Sequence, residues 1–337
     1  MCRIIPPRAL LSMVYISYMG SKKTLAPLII EAMETAWGPL SSLNLWEPFA
    51  GIGGFTDLAA TRFASVSVND SQEYSRVFLQ ARANAGAPYV LGDAQPLVGY
   101  FTRTYSPHNG NARMYFTPDN AQIIDGWLAR VRRGDLSAEQ ANHLLARVIC
   151  GADKVANKAV SYGAYLKHFQ PRALKTLALP TLEPFAGQVT VRRGDARDHA
   201  ALAPPEAVVY VDPPYTAGQY SRHYHILEAL ATPGEPAVRG VSGLSEVPYT
   251  CSPWCRKREV LAEFRAFVGV LRARRVVMSY STDGLMAHQE IRKTFKEHGY
   301  DVKVLSAPTK RMCTGQKGRL KKIVWELVFV CTKKDLC

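Results

Sequence analysis

Regularly spaced cysteines are missing from this sequence of 337 residues. The seven cysteines form an odd, scattered set, and the one close pair, Cys251 and Cys255, has no second pair of metal-binding residues nearby. A disulfide framework needs paired cysteines, and a zinc site needs about four ligands at suitable spacing. We therefore expect reduced cysteines and no metal, and the sequence assigns no role to Cys251 and Cys255.

Long apolar runs are missing as well. No stretch reaches the roughly 20 apolar residues that a membrane-spanning helix needs. Pro6, Pro7 and Arg8 interrupt the apolar N-terminus, which therefore does not match a signal peptide. We expect a cytoplasmic protein without a membrane partner, and a disordered extension over residues 1–12, because the patterned sequence begins near Val14.

Negative charge is in short supply. The chain has 28 acidic residues against 42 lysines and arginines, which gives a net charge of +14. An excess of this size favours a polyanionic partner, most often a nucleic acid, over a generally basic protein. The length allows one large domain with an insertion, or two domains.

The stretch Asp212-Pro213-Pro214-Tyr215 follows a short apolar run, Ala207–Val211. This composition predicts a buried strand, which the prolines end because they cannot donate to a β-ladder. Ligands of open α/β sheets bind at the carboxyl ends of strands. A carboxylate and a carbonyl that accept hydrogen bonds from an exocyclic amino group would free its lone pair for methyl transfer, and the tyrosine could stack on a flipped base. The alternative is a tight turn with a packing tyrosine.

A glycine-rich turn, Glu47-Pro48-Phe49-Ala50-Gly51-Ile52-Gly53, lies between a predicted strand and a predicted helix. Glycines allow the backbone to approach a ligand closely. The spacing differs from the G-x-G-x-x-G fingerprint of dinucleotide-binding proteins. An acid ahead of the loop suits a cationic ligand better than a pyrophosphate. S-adenosylmethionine, which has an ammonium, a sulfonium and no phosphate, meets this condition, and an ordinary strand-to-helix turn is the alternative.

Two features near the N-terminus extend this predicted site. Tyr18-Met19-Gly20-Ser21-Lys22 precedes a predicted helix from Leu25 to Ala36, and a turn of this kind with a lysine can hold a carboxylate. Asp70 follows a predicted strand over Ala64–Val68, where an acid can accept hydrogen bonds from ribose hydroxyls. The alternative for Asp70 is the N-cap of the next predicted helix, Glu73–Ala83.

Asp195, which precedes Ala196, ends a predicted strand that begins at Val189. Its carboxylate could accept from the amino group of the cofactor's adenine. Asp93 lies in a similar Gly-Asp-Ala sequence and is the competing candidate. We prefer Asp195 because its strand leads directly into the strand before Asp212.

The alternation of strands and helices stops between residues 100 and 186. Helical spacing predicts helices over Asn120–Arg132 and Ser137–Ala159. The following stretch, Tyr162–His168, interleaves aromatic and basic residues, which suits contact with a nucleic-acid backbone and an unstacked base. A basic solvated face with packing tyrosines is the alternative. We interpret the segment as an inserted recognition region.

These motifs, in this order, resemble the D12 class of DNA adenine-N6 methyltransferases, also called the alpha group, from Tyr18 to about Val330. Tyr18–Lys22 is similar to motif X, and Asp212–Tyr215 to motif IV. Glu47–Gly53 is similar to motif I, with glutamate where many members have aspartate. Motif X in first place and an insertion before motif IV are typical of the alpha group.

The resemblance implies an α/β, Rossmann-like S-adenosylmethionine-dependent methyltransferase fold with a terminal antiparallel hairpin. The catalytic domain would comprise residues 13–99 and 187–337, and residues 100–186 would form a mostly helical DNA target-recognition insertion. The implied activity is site-specific transfer of a methyl group to N6 of a flipped adenine in double-stranded DNA. Restriction-modification or related DNA marking would be its purpose, with a cognate restriction endonuclease or other defence proteins as partners.

The resemblance also implies roles for single residues. Lys22 would hold the carboxylate end of the cofactor, Asp70 its ribose and Asp195 its adenine amino group. Asp212 would be the essential acceptor and Tyr215 the stacking ring. The predicted catalytic residues are thus Asp212, Pro213 and Tyr215, and the predicted cofactor-binding residues are Tyr18, Lys22, Glu47, Phe49, Ala50, Gly51, Gly53, Asp70, Asp195 and Ala196.

Three other functions share parts of this pattern. Methylation of cytosine N4 needs the same chemistry, but those enzymes more often carry Ser-Pro-Pro-Tyr. RNA and protein-glutamine methyltransferases are further candidates, and the latter usually carry Asn-Pro-Pro-Tyr. A DNA-binding relative without catalysis is the alternative from another class, and the complete set of motifs argues against it.

Overall fold

The computed structural model describes residues 15–84, 92–246, 251–310 and 323–333. The predicted extension over residues 1–12 therefore lies outside the described residues. Among those described, no helix is long and apolar enough to cross a membrane.

The described strands form two sheets. They are β1 (Asn44–Glu47), β2 (Ser65–Asp70), β3 (Val189–Arg193), β4 (Val208–Val211), β5 (Val238–Arg239), β6 (Leu244–Ser245), β7 (Arg275–Ser281), β8 (Tyr300–Lys310) and β9 (Ile323–Lys333). Seven of them form one sheet in the order β3-β2-β1-β4-β7-β9-β8, and β5 and β6 form a small hairpin. β9 is antiparallel to β7 and β8, while the pairs from β3 through β7 are parallel. The predicted α/β fold with a terminal antiparallel hairpin is confirmed.

The helices lie between these strands in the chain. They are α1 (Ala26–Trp37), α2 (Thr56–Ala59), α3 (Glu73–Ala83), α4 (Tyr100–Tyr105), α5 (Pro118–Arg132), α6 (Ala138–Val155), α7 (Ala196–Ala201), α8 (Tyr220–His223), α9 (His225–Ala231), α10 (Val260–Val270) and α11 (His288–Glu297). α3 has the predicted bounds, and α1 and α5 begin and end within two residues of theirs.

Helices cover both faces of the large sheet. Val208 and Tyr210 of β4 pack into a core with α1, whereas Val209 and Val211 pack into a core with α10 and α11. All four side chains are buried. This burial on both faces explains why β4 is a continuous apolar run rather than an alternating one.

The helices of the segment from residue 100 to 186 are α4, α5 and α6, which comprise fewer than half of its residues, and the segment shares its core with the rest of the chain. α6 packs against α3 and α9, and Phe78, Leu144, Ile149 and Leu227 belong to one buried cluster. The domain boundaries at residues 100 and 186 stay a prediction.

α6 is shorter than the predicted helix, which ran from Ser137 to Ala159. Ser137 caps its N-terminus in a capping box with Gln140. The helix ends at Val155, and the side chain of Asn157 binds the carbonyls of Met114 and Leu166. An asparagine that satisfies loop backbone in this way favours a turn over a further helical turn.

Tyr162 follows the alternative for its stretch, that of a packing tyrosine. Its side chain is fully buried, and its hydroxyl donates to Asp153 Oδ1 at 2.8 Å. Lys158 Nζ lies 2.8 Å from the same oxygen and 4.4 Å from the centre of the Tyr162 ring. Tyr162 thus completes a buried ion pair, whereas Lys167 in the same stretch is exposed.

Candidate active site

The carboxyl ends of β1, β2 and β4 open into one cavity of about 500 Å³. β1 lies between β2 and β4, so the residues that end these strands meet at one edge of the sheet. The predicted residues that line the cavity are Tyr18, Lys22, Glu47, Phe49, Ala50, Gly51, Asp70, Asp195, Ala196, Asp212, Pro213 and Tyr215. Gly53 does not line it: a Cβ there would lie 2.9 Å from the side chain of Leu79, so this glycine serves packing.

The glycine loop is held from two sides. Gly51 has a φ of +55°, and a Cβ there would lie 2.8 Å from the Tyr18 ring. Its amide donates to Asp70 Oδ2 at 3.0 Å. A side chain at position 51 would therefore strain the backbone and displace the ring that forms the cavity wall.

Asp70 fixes two backbone segments of the cavity. Its Oδ2 accepts from Gly51 and its Oδ1 accepts from the amide of Gln72 at 2.9 Å. Burial raises the pKa of Asp70 to about 6, although these hydrogen bonds oppose the change. Gln72, not Asp70, is the N-cap residue of α3, so the N-cap alternative is wrong.

Glu47 ends β1 at the cavity wall. It is buried, and its Oε2 accepts a hydrogen bond from Thr56 Oγ1 at 2.7 Å. Burial raises the pKa of Glu47 to about 8, the Thr56 hydrogen bond opposes the change, and the charge of Asp212 adds to it. A cation in the cavity would stabilise the ionised form of this carboxyl group.

Lys22 lies between two carboxylates. Its Nζ is 2.7 Å from Asp212 Oδ1, 3.3 Å from Glu326 Oε1 and 3.2 Å from the carbonyl oxygen of Gly20. The ammonium also lies 5.3 Å from the centre of the Tyr215 ring. The sequence interpretation directed Lys22 to the carboxylate of the cofactor, whereas the structure pairs it with the acid of motif IV.

Asp212 is oriented from β7. Ser279 Oγ donates to Asp212 Oδ1 at 3.0 Å, and the Tyr210 hydroxyl lies 2.8 Å from Ser279 Oγ. Burial raises the pKa of Asp212, while the charge and hydrogen bond of Lys22 oppose the change. A carboxylate with a raised pKa is a stronger hydrogen-bond and proton acceptor.

Glu326 and Ser279 received no role from the sequence. One signal could have found Glu326, because it is the one acid within the apolar β9 strand. Ser279 lies in the buried strand β7, and composition alone does not distinguish it there from a packing residue.

Asp195 reaches the cavity from the edge of the sheet. The strand of Asp195 does lead into β4 along the chain, but β3 pairs with β2 and not with β4, so this order does not by itself bring Asp195 to Asp212. The side chain of Asn69 on β2 connects the residues that follow β1 and β3, because it donates to the carbonyls of Pro48 and Gly194. Asp195 lines the cavity and caps α7 through the amide of Arg197, whereas Asp93 does not line it.

Residues 252–255 form a wall that the sequence did not predict. Trp254 packs edge-on against Phe49, with ring centres 5.0 Å apart. Cys255 lines the cavity with a buried free thiol, while Cys251 is exposed. Among the described ranges, no three metal-ligating side chains come together.

The segment ahead of Tyr18 is anchored from the helical region. The amide of Ser17 donates to Asp153 Oδ2 at 2.8 Å, and the amide of Met19 donates to the hydroxyl of Tyr224 at 2.7 Å. The rings of Tyr18 and Tyr224 stack with centres 5.0 Å apart. The buried carboxylate of Asp153 therefore fixes the segment that carries Tyr18 into the cavity.

Comparison with known proteins identifies the family. The family model of the D12 class N6 adenine-specific DNA methyltransferases matches residues 18–293. The chain belongs to this family. It is an S-adenosylmethionine-dependent DNA adenine methyltransferase by membership, and the resemblance of the three motifs is confirmed.

Two relatives cover most of this methyltransferase. Type II methyltransferase M.CviAII of Paramecium bursaria Chlorella virus 1 is 33% identical over 296 residues, which are 84% of this chain and 89% of the relative. Type II methyltransferase M.NlaIII of Neisseria lactamica is 31% identical over 305 residues, 85% and 90% of the two chains. Among solved structures, magnesium protoporphyrin IX methyltransferase of Synechocystis PCC 6803 with bound SAM has a TM-score of 0.36 and 9% identity, covering 93% of this chain and 80% of that chain. The fold assignment rests on the strand order above.

The cavity of this methyltransferase fits its cofactor. S-adenosylmethionine is a cation at its sulfonium and ammonium groups, and Glu47, Asp70, Asp195 and Asp212 give the wall four carboxyl groups. Burial raises the pKa of Glu47 and of Asp70, and a cation in the cavity would favour the ionised form of both carboxyl groups. When bound, the cofactor would supply the methyl group, and the acidic wall and the glycine loop are the parts of the protein that would hold it.

Proposed function

We propose that this methyltransferase modifies N6 of an adenine that is flipped out of double-stranded DNA at a specific site. The observation that carries the proposal is the position of Asp212. Its partly buried carboxylate stands at the wall of the cofactor cavity, and Pro213 and Tyr215 of the same motif line the same space. An adenine inside a duplex cannot bring its amino group into such a cavity, so the base must leave the stack.

The side chains supply what an aromatic amine needs to react. The lone pair of adenine N6 is delocalised into the ring, and hydrogen bonds from N6 to Asp212 and a neighbouring backbone carbonyl would make it available. The nitrogen gains a methyl group and loses one proton. Asp212, whose pKa burial raises, is suited to accept that proton. Tyr215 would stack on the base.

The charge of the chain supports a DNA substrate. The net charge is +14, and Arg132, Arg133, Lys167 and Lys175 of the helical segment are exposed. Basic side chains that neutralise phosphates release counterions, which gives affinity without sequence preference. Recognition of the target sequence would come from those side chains of residues 100–186 that reach base edges.

The relatives suggest the biological role. Both M.CviAII and M.NlaIII carry the name Type II methyltransferase. We propose that this enzyme protects DNA in a restriction-modification system or a related defence, with a cognate endonuclease as partner.

The test is transfer of a labelled methyl group from S-adenosylmethionine to unmethylated genomic DNA, followed by digestion and identification of the nucleoside. N6-methyladenine is expected, and N4-methylcytosine would refute the choice of base while leaving the mechanism at Asp212. Cofactor binding without transfer would favour a DNA-binding relative that lacks catalysis.

The matched variants are Asp212→Asn and, on the exposed edge strand, Asp301→Asn. Loss of the Asp212 charge should lower the single-turnover rate by roughly 100-fold or more, the size of effect seen when one electrostatic contact to a transition state is removed. Asp301→Asn should leave the rate unchanged. Full activity of Asp212→Asn would refute the mechanism.

A further inference from the structure

A second buried carboxylate stands beside the acid of motif IV. Glu326 lies on β9 with 5% of its surface exposed, and its Oε1 is 3.3 Å from Lys22 Nζ. Lys22 favours the ionised form of this carboxyl group, and the charge of Asp212 opposes it. A buried carboxylate is costly to desolvate, so a position that keeps one requires an explanation.

Lys22 offers that explanation. Its ammonium is bound closely to Asp212 Oδ1, an oxygen that also accepts from Ser279. An ammonium that neutralised Asp212 alone would weaken the carboxylate as an acceptor. A second carboxylate on the other side of the ammonium shares its charge.

We propose that Glu326 is a positioning residue for methyl transfer, which holds the Lys22 ammonium between two carboxylates so that Asp212 keeps acceptor capacity for the amino group of the target base. This inference rests on the proposed function. Glu326 forms no covalent bond in it, and its contribution is electrostatic.

The surroundings define what a change at Glu326 would do. Charged and titratable groups surround Asp212 and Glu326 from the N-terminal segment, β1, β4, the segment after β4 and α8. They are Lys22, Glu47, Tyr210, Tyr215 and Tyr220. Burial raises the pKa of Glu326, Lys22 opposes the change, and Asp212 adds to it. Conversely, the charge of Glu326 opposes ionisation of Asp212. Removing the charge of Glu326 should lower the pKa of Asp212, because the Lys22 ammonium would then pair with Asp212 alone.

The experiment is a pH profile of single-turnover methyl transfer to unmethylated duplex DNA. Glu326→Gln keeps the size of the side chain and removes its charge. The plateau rate should fall roughly 10- to 100-fold, the worth of one charge-assisted hydrogen bond. The acidic limb of the profile should move to lower pH. Glu206→Gln, at an exposed acid, is the matched control and should change neither.

Two further measurements separate charge from structure. Glu326→Asp keeps the charge but withdraws it by one carbon. The acidic limb of its pH profile should therefore lie between those of wild type and Glu326→Gln. If Glu326→Gln does not fold, the comparison of Glu326→Asp with wild type tests the inference. Equal loss of rate in both variants with an unmoved acidic limb would show a merely structural role and overturn the inference. A pH profile of Glu326→Gln that matches the profile of Glu206→Gln would also overturn the inference.

The inference can fail separately from the proposed function. The titration of the Asp212 carboxyl group, followed by ¹³C NMR without DNA, needs no methyl transfer. A lower pKa of Asp212 in Glu326→Gln than in wild type supports the inference even if wild type methylates another substrate. An unchanged or higher pKa overturns it, whatever the substrate.

Discussion

Glu47 allows a prediction in which stability and cofactor binding change in opposite directions. The perturbation is Glu47→Gln, which keeps the shape of the buried side chain and its capacity to accept from Thr56. The pKa of this carboxyl group is 4.5 in its reference state and about 8 in the folded protein. The unfolded chain therefore gives up the proton between these two pH values, while the folded protein keeps it.

The sign and size follow from proton linkage. The folded state binds more protons than the unfolded state from pH 4.5 to about 8, so the free energy of unfolding falls as the pH rises through this window. Each pH unit costs about 1.4 kcal/mol, and the loss reaches about 3 kcal/mol at pH 7. Below pH 4.5 the contribution is fully present, and above pH 8 the loss is constant. Glutamine does not titrate and avoids the loss.

The assay is chemical denaturation of the cofactor-free protein at pH 5, 6, 7 and 8. Glu47→Gln should gain stability relative to wild type, and the gain should grow with pH to about 3 kcal/mol at pH 7 and about 4 kcal/mol at pH 8. Cofactor affinity should move the other way, with a dissociation constant raised on the order of tenfold, because one carboxylate facing a cation is lost. Glu206→Gln, at the surface, should show neither trend.

A stability difference that is the same at every pH would refute the reasoning, since it would show that Glu47 does not change its protonation between pH 5 and 8. Unchanged cofactor affinity would show that this carboxyl group does not face the cationic part of the ligand.

Three other predictions concern the frame of the site. Gly51→Ala should abolish cofactor binding measured by calorimetry, because its Cβ would lie 2.8 Å from the Tyr18 ring at a φ of +55°; retained affinity would contradict the close approach of the loop. Asp153→Asn should lower the free energy of unfolding by about 3–5 kcal/mol, because it leaves Lys158 buried and unpaired. The double variant with Lys158→Met should recover much of this stability in thermal unfolding. Absence of recovery would refute the ion-pair explanation. Asp70→Asn should weaken cofactor binding most above pH 6, where wild type is ionised, so equal weakening at pH 5 and 8 would contradict the role of its charge.

The local elements of the site were predictable from the sequence. The apolar, β-branched composition before Asp212 predicts a buried strand, and β4 is that strand. The glycines of the loop after Glu47 predict a close backbone approach, which Gly51 makes to Tyr18. These features depend on a few consecutive residues, and their order along the chain was enough to indicate the family.

The contacts between these elements were decided only by the tertiary structure. The position of β3 at the sheet edge, the burial of Tyr162 and the sharing of Lys22 between Asp212 and Glu326 join residues far apart in the chain. Composition and spacing report the chemistry of a residue and its local backbone, but not its neighbours. The sequence by itself determined which groups could perform methyl transfer, and strand order and side-chain packing decided which charges face one another.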